Sequence, residues 1–159
     1  MEPIRVVWGA ASAATAMASY DAALAAAGVE NYNLTLVSSV IPSGAEVDVA
    51  ETAPDLGPAG ERLTVVQGRQ TVAPGESEQA CAGLGWSVED SGRGIFYEAS
   101  GTDPDVVHES IEAGLAAGRD LRDWAFADGD LQLVTAPADP DAYTTAVVLA
   151  AYGRSDPII

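Results

Sequence analysis

The sequence has no lysine, one cysteine, one histidine and a large deficit of positive charge. Its 159 residues carry 24 acidic side chains and only 7 basic ones, all arginine, for a formal net charge of −17. Without lysine, the chain cannot hold pyridoxal phosphate as an internal Schiff base or provide the lysine of a Walker-type phosphate site. With only Cys81 and His108, it can form neither an intrachain disulfide nor a cysteine–histidine zinc cluster.

The negative charge also bears on partners and surroundings. Binding to nucleic acid is disfavoured, because phosphate contacts need basic side chains. An acidic surface that recognises a partner is one interpretation of the charge. We favour adaptation to high salt, where ions screen repulsion and carboxylates keep the surface hydrated. The expected location is therefore a halophilic cytoplasm.

The length and hydropathy indicate one folded domain over residues 1–159. The chain is 48% hydrophobic, and a second domain would leave both too small for a useful core. No segment is long and apolar enough to span a membrane. Glu2 and Pro3 stand where a signal peptide would have a basic region, so we expect none.

Periodicity and turn residues predict an α+β layered sandwich with two long helices. The first helix is expected over 12–27 with Gly28 at its end, and residues 46–60 are predicted to be a loop. The second helix is expected to be capped by Thr102, with an apolar stripe of Val107, Ile111, Leu115, Leu121 and Trp124. Strands are predicted over 4–8, 33–41, 62–72, 79–88, 93–99, 131–135 and 143–152.

Two adjacent serines lie near the end of the predicted strand 33–41, in the segment Val37-Ser38-Ser39-Val40-Ile41-Pro42. Taken alone, serines in this place are ordinary turn residues. Three other segments accompany them in order: Tyr-Asp-Ala-Ala-Leu at 20–24, Gly-Ile-Phe-Tyr-Glu at 94–98 and Thr-Thr-Ala-Val-Val at 144–148. Together the four segments resemble the pyruvoyl-dependent arginine decarboxylases, and a haloarchaeal-type member in particular.

The resemblance implies that the chain cleaves itself into a β chain, residues 1–38, and an α chain, residues 39–159. The Ser39 hydroxyl attacks the carbonyl of Ser38 and shifts the acyl group from nitrogen to oxygen. β-Elimination then releases the chain that ends at Ser38 and leaves a dehydroalanine, which tautomerises and hydrolyses to a pyruvoyl group. This covalent cofactor, formed from Ser39, accepts the electrons left by CO2 without pyridoxal phosphate or a metal.

The resemblance also implies roles for two acids. Glu98 corresponds to the family's proton donor, and the apolar run before it suggests a dry sheet edge; the alternative is a solvated surface glutamate. Asp21 shares a predicted helix face with Met17 and Leu24, where an acid is unusual. It corresponds to the aspartate that binds the substrate guanidinium, a group that carboxylates match in bidentate fashion. The alternative for Asp21 is a capped acid or one satisfied at an interface.

Three further residues correspond to the family's site. Asn33 is expected to orient the cleaving peptide or the substrate, although it could equally be a turn amide. Leu24 and Val40 are expected to form apolar walls beside the pyruvoyl group, and core packing explains them equally well. Outside this set, Cys81 is expected to be a small buried hydrophobe and His108 a solvated or core-edge side chain.

By resemblance we expect a four-layer αββα sandwich, assembled as a homotrimer with active sites between neighbouring subunits. The implied reaction is decarboxylation of L-arginine to agmatine and CO2, which supplies polyamine biosynthesis. Two alternatives stay open. The chain could be a pyruvoyl-dependent decarboxylase of a different amino acid, since a carboxylate selects its substrate only through charge. It could also be an unprocessed, non-catalytic homologue in which the serines are never cleaved.

Overall fold

The computed structural model describes residues 1–159, which form two helices and two β-sheets. The mixed α+β class predicted from the sequence is confirmed. In chain order the elements are β1 Ile4–Ala13, α1 Ala16–Ala27, β2 Asn33–Leu36, β3 Val40–Ile41, β4 Val47–Glu51, β5 Arg62–Val72, β6 Gln79–Glu89, β7 Gly94–Gly101, α2 Pro104–Asp120, β8 Phe126–Pro137 and β9 Tyr143–Tyr152.

The strands divide into a five-stranded sheet, in the order β2-β5-β9-β1-β4, and a four-stranded sheet, in the order β3-β7-β6-β8. In the five-stranded sheet, β4 pairs with β1 and β2 pairs with β5 in parallel, whereas β9 is antiparallel to both of its neighbours. All pairs of the four-stranded sheet are antiparallel. Strand β9 is buried along almost its whole length, as expected for a central strand covered on both faces.

Three apolar clusters hold the elements together. One lies between the two sheets and joins β1 and β9 side chains such as Val6 and Val148 to β6 and β7 side chains such as Leu84 and Phe96. A second packs α1 on the outer face of the five-stranded sheet. The third packs α2 on the outer face of the four-stranded sheet. Each sheet is thus covered on one face by the other sheet and on its outer face by a helix.

The first helix begins later than the sequence predicts. β1 continues to Ala13 through a full antiparallel ladder with β9, so Ser12 is a strand residue. The helix is capped instead by Thr15, whose hydroxyl accepts a hydrogen bond from the Ala18 N–H at 3.1 Å. Its predicted end is confirmed: Gly28 adopts φ 80°, the left-handed conformation that glycine favours at helix ends.

The prediction of one strand over 33–41 is wrong. The structure has two strands there, and they belong to different sheets: β2 pairs with β5, and β3 pairs with β7. Residues 37–39, which include both serines, cross between the sheets. The loop predicted over 46–60 is also corrected, because Val47–Glu51 forms a short edge strand beside β1.

The second helix is capped by Asp103 rather than Thr102, through a hydrogen bond that its side chain accepts from the Asp105 N–H. Val107, Ile111 and Leu115 are buried against the sheet as predicted. The helix ends at Asp120, so the remaining residues of the predicted stripe, Leu121 and Trp124, lie beyond it, and Leu121 is 83% exposed. No helix of the chain has both the length and the apolar character needed to span a membrane.

Candidate active site

The segment Ser38–Ser39–Val40, which we call the serine turn, is held by backbone hydrogen bonds. The Val40 N–H donates to the carbonyl oxygen of Ser38 at 2.7 Å, a tight contact between residues two apart. The Phe96 N–H, from β7, donates to the carbonyl oxygen of Ser39 at 2.8 Å. Both carbonyls that flank the nitrogen and α-carbon of Ser39 are therefore fixed, one within the turn and one against the sheet.

The structure brings Ser39 and Glu98 together. The Ser39 hydroxyl donates to Glu98 Oε2 at 3.3 Å across a separation of 59 residues. Glu98 reaches this position because β7 pairs with β6 along its length, with Glu98 opposite Leu84. The expectation of a dry edge is not met in the single chain, where Glu98 is exposed to solvent.

Tyr152, the last residue of β9, also contacts the serine turn. Its hydroxyl donates to the carbonyl oxygen of Val40 at 2.8 Å, and its ring packs edge-on against Phe96 with 6.1 Å between centroids. Burial, with a smaller contribution from the negative charge of Glu98, raises the pKa of Tyr152 to about 12. The phenol therefore stays protonated near neutral pH and acts as a hydrogen-bond donor.

Asp21, Leu24 and Asn33 lie together at a second place, a cavity of about 600 Å³ between α1 and β2. Leu24 is 7% exposed and forms its apolar wall, but Asp21 and Asn33 are exposed. The predicted apolar stripe around Asp21 is corrected, because Met17 is 72% exposed. Asn33 is tied to the neighbouring loop, since its Nδ2 donates to the carbonyl oxygen of Gly60 at 2.7 Å.

No single cavity contains all the predicted site residues. The serine turn lines a cavity of about 380 Å³ between β7 and α2. Glu98 lines a third cavity, of about 480 Å³, whose walls Tyr20 and Leu34 also line the cavity of Asp21. Glu98 therefore lies between the two groups: it accepts a hydrogen bond from Ser39 and also lines the cavity that adjoins the Asp21 cavity.

Large apolar side chains are exposed around these openings. They are Leu36 at 63%, Val40 at 45%, Tyr97 at 41% and Val37 at 39% exposure. A protein surface seldom concentrates such side chains beside one short segment unless another surface covers them. Val40 is thus an apolar side chain that is open to solvent, whereas Leu24 is part of the core.

The remaining candidates from the sequence do not join this site. Cys81 is fully buried in β6, as predicted, and burial raises the pKa of its thiol. His108 is exposed on α2 and lines a separate cavity of about 780 Å³ near Arg119. No cluster of three or more histidine, cysteine, aspartate or glutamate side chains has the arrangement of a metal site.

Sequence reasoning missed two contributors, Tyr152 and the backbone N–H of Phe96. A backbone donor carries no residue-type signal, so no motif identifies Phe96. Tyr152 lies in a strand that is buried on both faces, and such strands show no alternation that would single out one side chain. Its role becomes visible only once β9 and β3, from different sheets, are placed against each other.

Comparison with known proteins identifies a family. The family model for pyruvoyl-dependent arginine decarboxylase matches residues 3–157. The chain is 52% identical over 160 residues to the pyruvoyl-dependent arginine decarboxylase of Halobacterium salinarum, with 99% of this chain and 98% of the relative covered. It is 31% identical over 147 residues to the enzyme of the same name from Pyrococcus furiosus, covering 90% and 91% of the two chains. The corresponding protein of Thermococcus kodakarensis is 32% identical over 145 residues, with 86% and 90% covered.

Proposed function

This chain belongs to the pyruvoyl-dependent arginine decarboxylase family, and on that premise we propose that it converts L-arginine to agmatine and CO2. It is thus a carbon–carbon lyase whose cofactor is a covalent pyruvoyl group. We further propose that the group forms from Ser39 when the chain cuts itself between Ser38 and Ser39. The observation that carries this proposal is the hydrogen bond of 3.3 Å from the Ser39 hydroxyl to Glu98.

The serine turn has the groups that self-cleavage requires. Glu98 is placed to accept the proton of the Ser39 hydroxyl as its oxygen attacks the Ser38 carbonyl carbon. The Val40 N–H already points at the Ser38 carbonyl oxygen, where negative charge develops during that attack. The Ser38–Ser39 C–N bond then breaks and the nitrogen takes up a proton, leaving an ester between the two residues.

Completing the cleavage releases the two chains. Loss of the Ser39 α-proton breaks the Cβ–Oγ bond and frees the carboxylate of Ser38. Water then replaces the nitrogen of the dehydroalanine, which leaves as ammonia. The products are residues 1–38, ending in the Ser38 carboxylate, and residues 39–159, beginning with the pyruvoyl group.

The residues around Ser39 fit this group. The pyruvoyl group supplies the electrophilic carbonyl and the electron-withdrawing amide that decarboxylation of an amino acid needs. The Phe96 N–H holds the amide oxygen of residue 39 at 2.8 Å and thus fixes its orientation. Glu98 holds the proton that is delivered to the substrate α-carbon after CO2 leaves.

The residues at the Asp21 cavity are proposed to recognise the substrate. Asp21 is proposed to bind the guanidinium of arginine, which its carboxylate matches in bidentate fashion. Asn33 is proposed to orient the substrate from the edge of β2, and Leu24 and Val40 to contact its apolar stem. A cavity of about 600 Å³ leaves room for an arginine side chain beside Asp21.

We propose that the protein is a homotrimer of four-layer αββα subunits with an active site between neighbours. Two observations support this assembly. In the single chain Glu98, Asp21 and Asn33 are all open to water, although a proton donor and a charged pair work best when water is excluded. The exposed Leu36, Val37, Val40 and Tyr97 then provide apolar surface for a second copy to cover.

A substrate panel tests the activity. The purified protein, kept in multimolar salt, is given arginine, ornithine, lysine or histidine labelled at the carboxyl carbon, and released CO2 is measured. We expect turnover of arginine, and none by a Ser39→Ala variant, which cannot form the cofactor. Turnover of another amino acid in preference to arginine would contradict the proposed substrate, and absence of turnover by the cleaved protein with all four would contradict the proposed reaction.

A further inference from the structure

Tyr152 makes a hydrogen bond that joins the two sheets beside the serine turn. The residue ends β9 in the five-stranded sheet, whereas Val40 begins β3 in the four-stranded sheet. The bond of 2.8 Å from the Tyr152 hydroxyl to the Val40 carbonyl therefore links the two sheets, which share an apolar core. No other side chain donates a hydrogen bond to the backbone of the serine turn.

This bond is one of three hydrogen bonds that hold the carbonyl groups of the serine turn. The carbonyl of Ser38 accepts from the Val40 N–H, that of Ser39 accepts from the Phe96 N–H, and that of Val40 accepts from Tyr152. The Tyr152 ring also packs on Phe96, so one side chain supports two of the three contacts. The Ser39 C=O and the Val40 N–H, which belong to the peptide that follows Ser39, are both engaged, and Tyr152 holds the next peptide through the Val40 C=O, so the chain after Ser39 has little freedom to rotate.

Such restraint matters for the first chemical step of self-cleavage. Attack within a chain is fast only when the reacting atoms are held close and aligned, and a freely moving turn spends little time in that arrangement. We propose that Tyr152 is a positioning residue for self-cleavage, whose hydroxyl anchors Val40 and thereby restrains the turn in which the Ser39 oxygen attacks the Ser38 carbonyl carbon. This inference rests on the proposed cleavage between Ser38 and Ser39.

Tyr152 acts in this step without exchanging a proton. The bond that forms joins Ser39 Oγ to the carbonyl carbon of Ser38, the bond that breaks joins that carbon to the Ser39 nitrogen, and the hydroxyl proton ends on the nitrogen. Throughout, the phenol keeps its own proton, because burial and the charge of Glu98 raise the pKa of Tyr152 to about 12. Its contribution is therefore the hydrogen bond itself.

The test is the cleavage rate of Tyr152→Phe, a variant that keeps the ring and its packing on Phe96. Full-length chains are made by pulsed cell-free synthesis in high salt, and the appearance of fragments 1–38 and 39–159 is followed by intact mass. Loss of one hydrogen bond that is needed for alignment should slow cleavage about tenfold. The matched control is Tyr32→Phe, which loses contacts of its hydroxyl with Gly57 and Leu56, away from the serine turn.

Two further measurements separate positioning from general destabilisation. Thermal unfolding of both tyrosine variants is measured in the Ser39→Ala background, where no cleavage occurs. Hydroxylamine is then added to the cleaving chains, because it cuts an ester that has formed but cannot align an unreacted turn. We expect Tyr152→Phe to be slow even with hydroxylamine, and Tyr32→Phe to cleave at the wild-type rate.

The outcomes distinguish a failure of the positioning role of Tyr152 from a failure of the proposed function. Cleavage of Tyr152→Phe at the wild-type rate would overturn the positioning role while leaving the proposed function intact. So would equal slowing in Tyr32→Phe, since the cause would then be stability. Recovery of the wild-type rate with hydroxylamine would also overturn it, because Tyr152 would then act after the ester. A wild-type chain that never cleaves would instead refute the proposed function.

Discussion

The serine turn and the Asp21 cavity contain the residues proposed for the two parts of the chemistry, self-cleavage and substrate binding. They differ in how far hydrogen bonds within the chain hold those residues. In the serine turn, three successive carbonyls and the Ser39 hydroxyl all have hydrogen-bond partners within the same chain. In the Asp21 cavity, Asp21 is exposed and makes no hydrogen bond or ion pair, and the Asn33 side chain bonds only to the carbonyl oxygen of Gly60. The polar groups of the serine turn thus find their partners within one chain, whereas Asp21 has no partner and is open to solvent.

The difference is consistent with the reaction that we propose for each region. Self-cleavage rearranges the chain's own peptide bond, so its geometry has to be built by the fold of one chain. Substrate binding can be completed later, by ligand or by a neighbouring subunit. Glu98 belongs to both regions, because it contacts Ser39 and also lines an opening that adjoins the Asp21 cavity.

Glu98→Gln should give the largest effect, because it removes the transferable proton while keeping size and hydrogen bonding. We expect turnover per cleaved chain to fall by about 10²–10⁴, the usual contribution of a general acid. The measurement is arginine decarboxylation, normalised to the amount of fragment 39–159. Glu112→Gln, an exposed glutamate on α2 outside the site, is the control. Full turnover by Glu98→Gln would remove this residue from the mechanism.

Asp21→Asn should weaken substrate binding in the Asp21 cavity and leave the serine turn unaffected. Loss of a charge-assisted bidentate pair with the guanidinium should raise KM for arginine by about 10–100-fold. The turn is built from other elements, so the rate of self-cleavage should not change. Asp55→Asn, in the loop before β5, serves as a matched control for charge. Slower cleavage in Asp21→Asn would show that the two regions are less separate than the structure indicates.

Mixed oligomers should reveal whether the halves of one site come from different subunits. Ser39→Ala subunits keep Asp21, and Asp21→Asn subunits keep Ser39, so co-refolding them in equal amounts would pair intact halves in about a quarter of the sites. Activity at low arginine should therefore exceed the sum of the two separate variants. No gain in mixtures whose exchange is confirmed by mass would contradict a site shared between neighbours.

The smallest expected effect concerns the ion pair that flanks the open region. Arg62, which lies opposite Asn33 in the β2–β5 pair, contacts Asp156 at 2.5 Å and holds the pKa of that carboxyl below its usual value. A lowered pKa means that the pair stabilises the fold above the unfolded-state pKa and loses this contribution as pH falls. Thermal unfolding of Asp156→Asn should therefore differ slightly from wild type at neutral pH and converge with it in acid. Salt and solvent exposure keep the difference small.

A difference that grows on acidification would contradict this account of the Arg62–Asp156 pair. The control is Asp139→Asn, an acid whose side chain caps a turn near β9 without contacting arginine.

The sequence predicted the class of fold and most of the long strands, and its site residues stay predictions; it did not show that these residues lie at two separate places in the structure. Residues 33–41 form an uninterrupted β-rich run, and local pattern has no means of showing that β2 and β3 enter different sheets. Because of that crossing, Ser38 and Ser39 lie in a turn between the sheets and not within a strand. The early start predicted for α1 failed for a related reason, because pairing with β9 keeps residues through Ala13 in the strand despite their helix-forming side chains.

Intact mass of the purified native protein, kept in multimolar salt, tests the central claim most directly. We predict two chains, one matching residues 1–38 with a free carboxylate and one matching residues 39–159 with a pyruvoyl group in place of Ser39. Ser39→Ala should give one chain of 159 residues. A wild-type protein that also remains a single uncleaved chain would contradict the account.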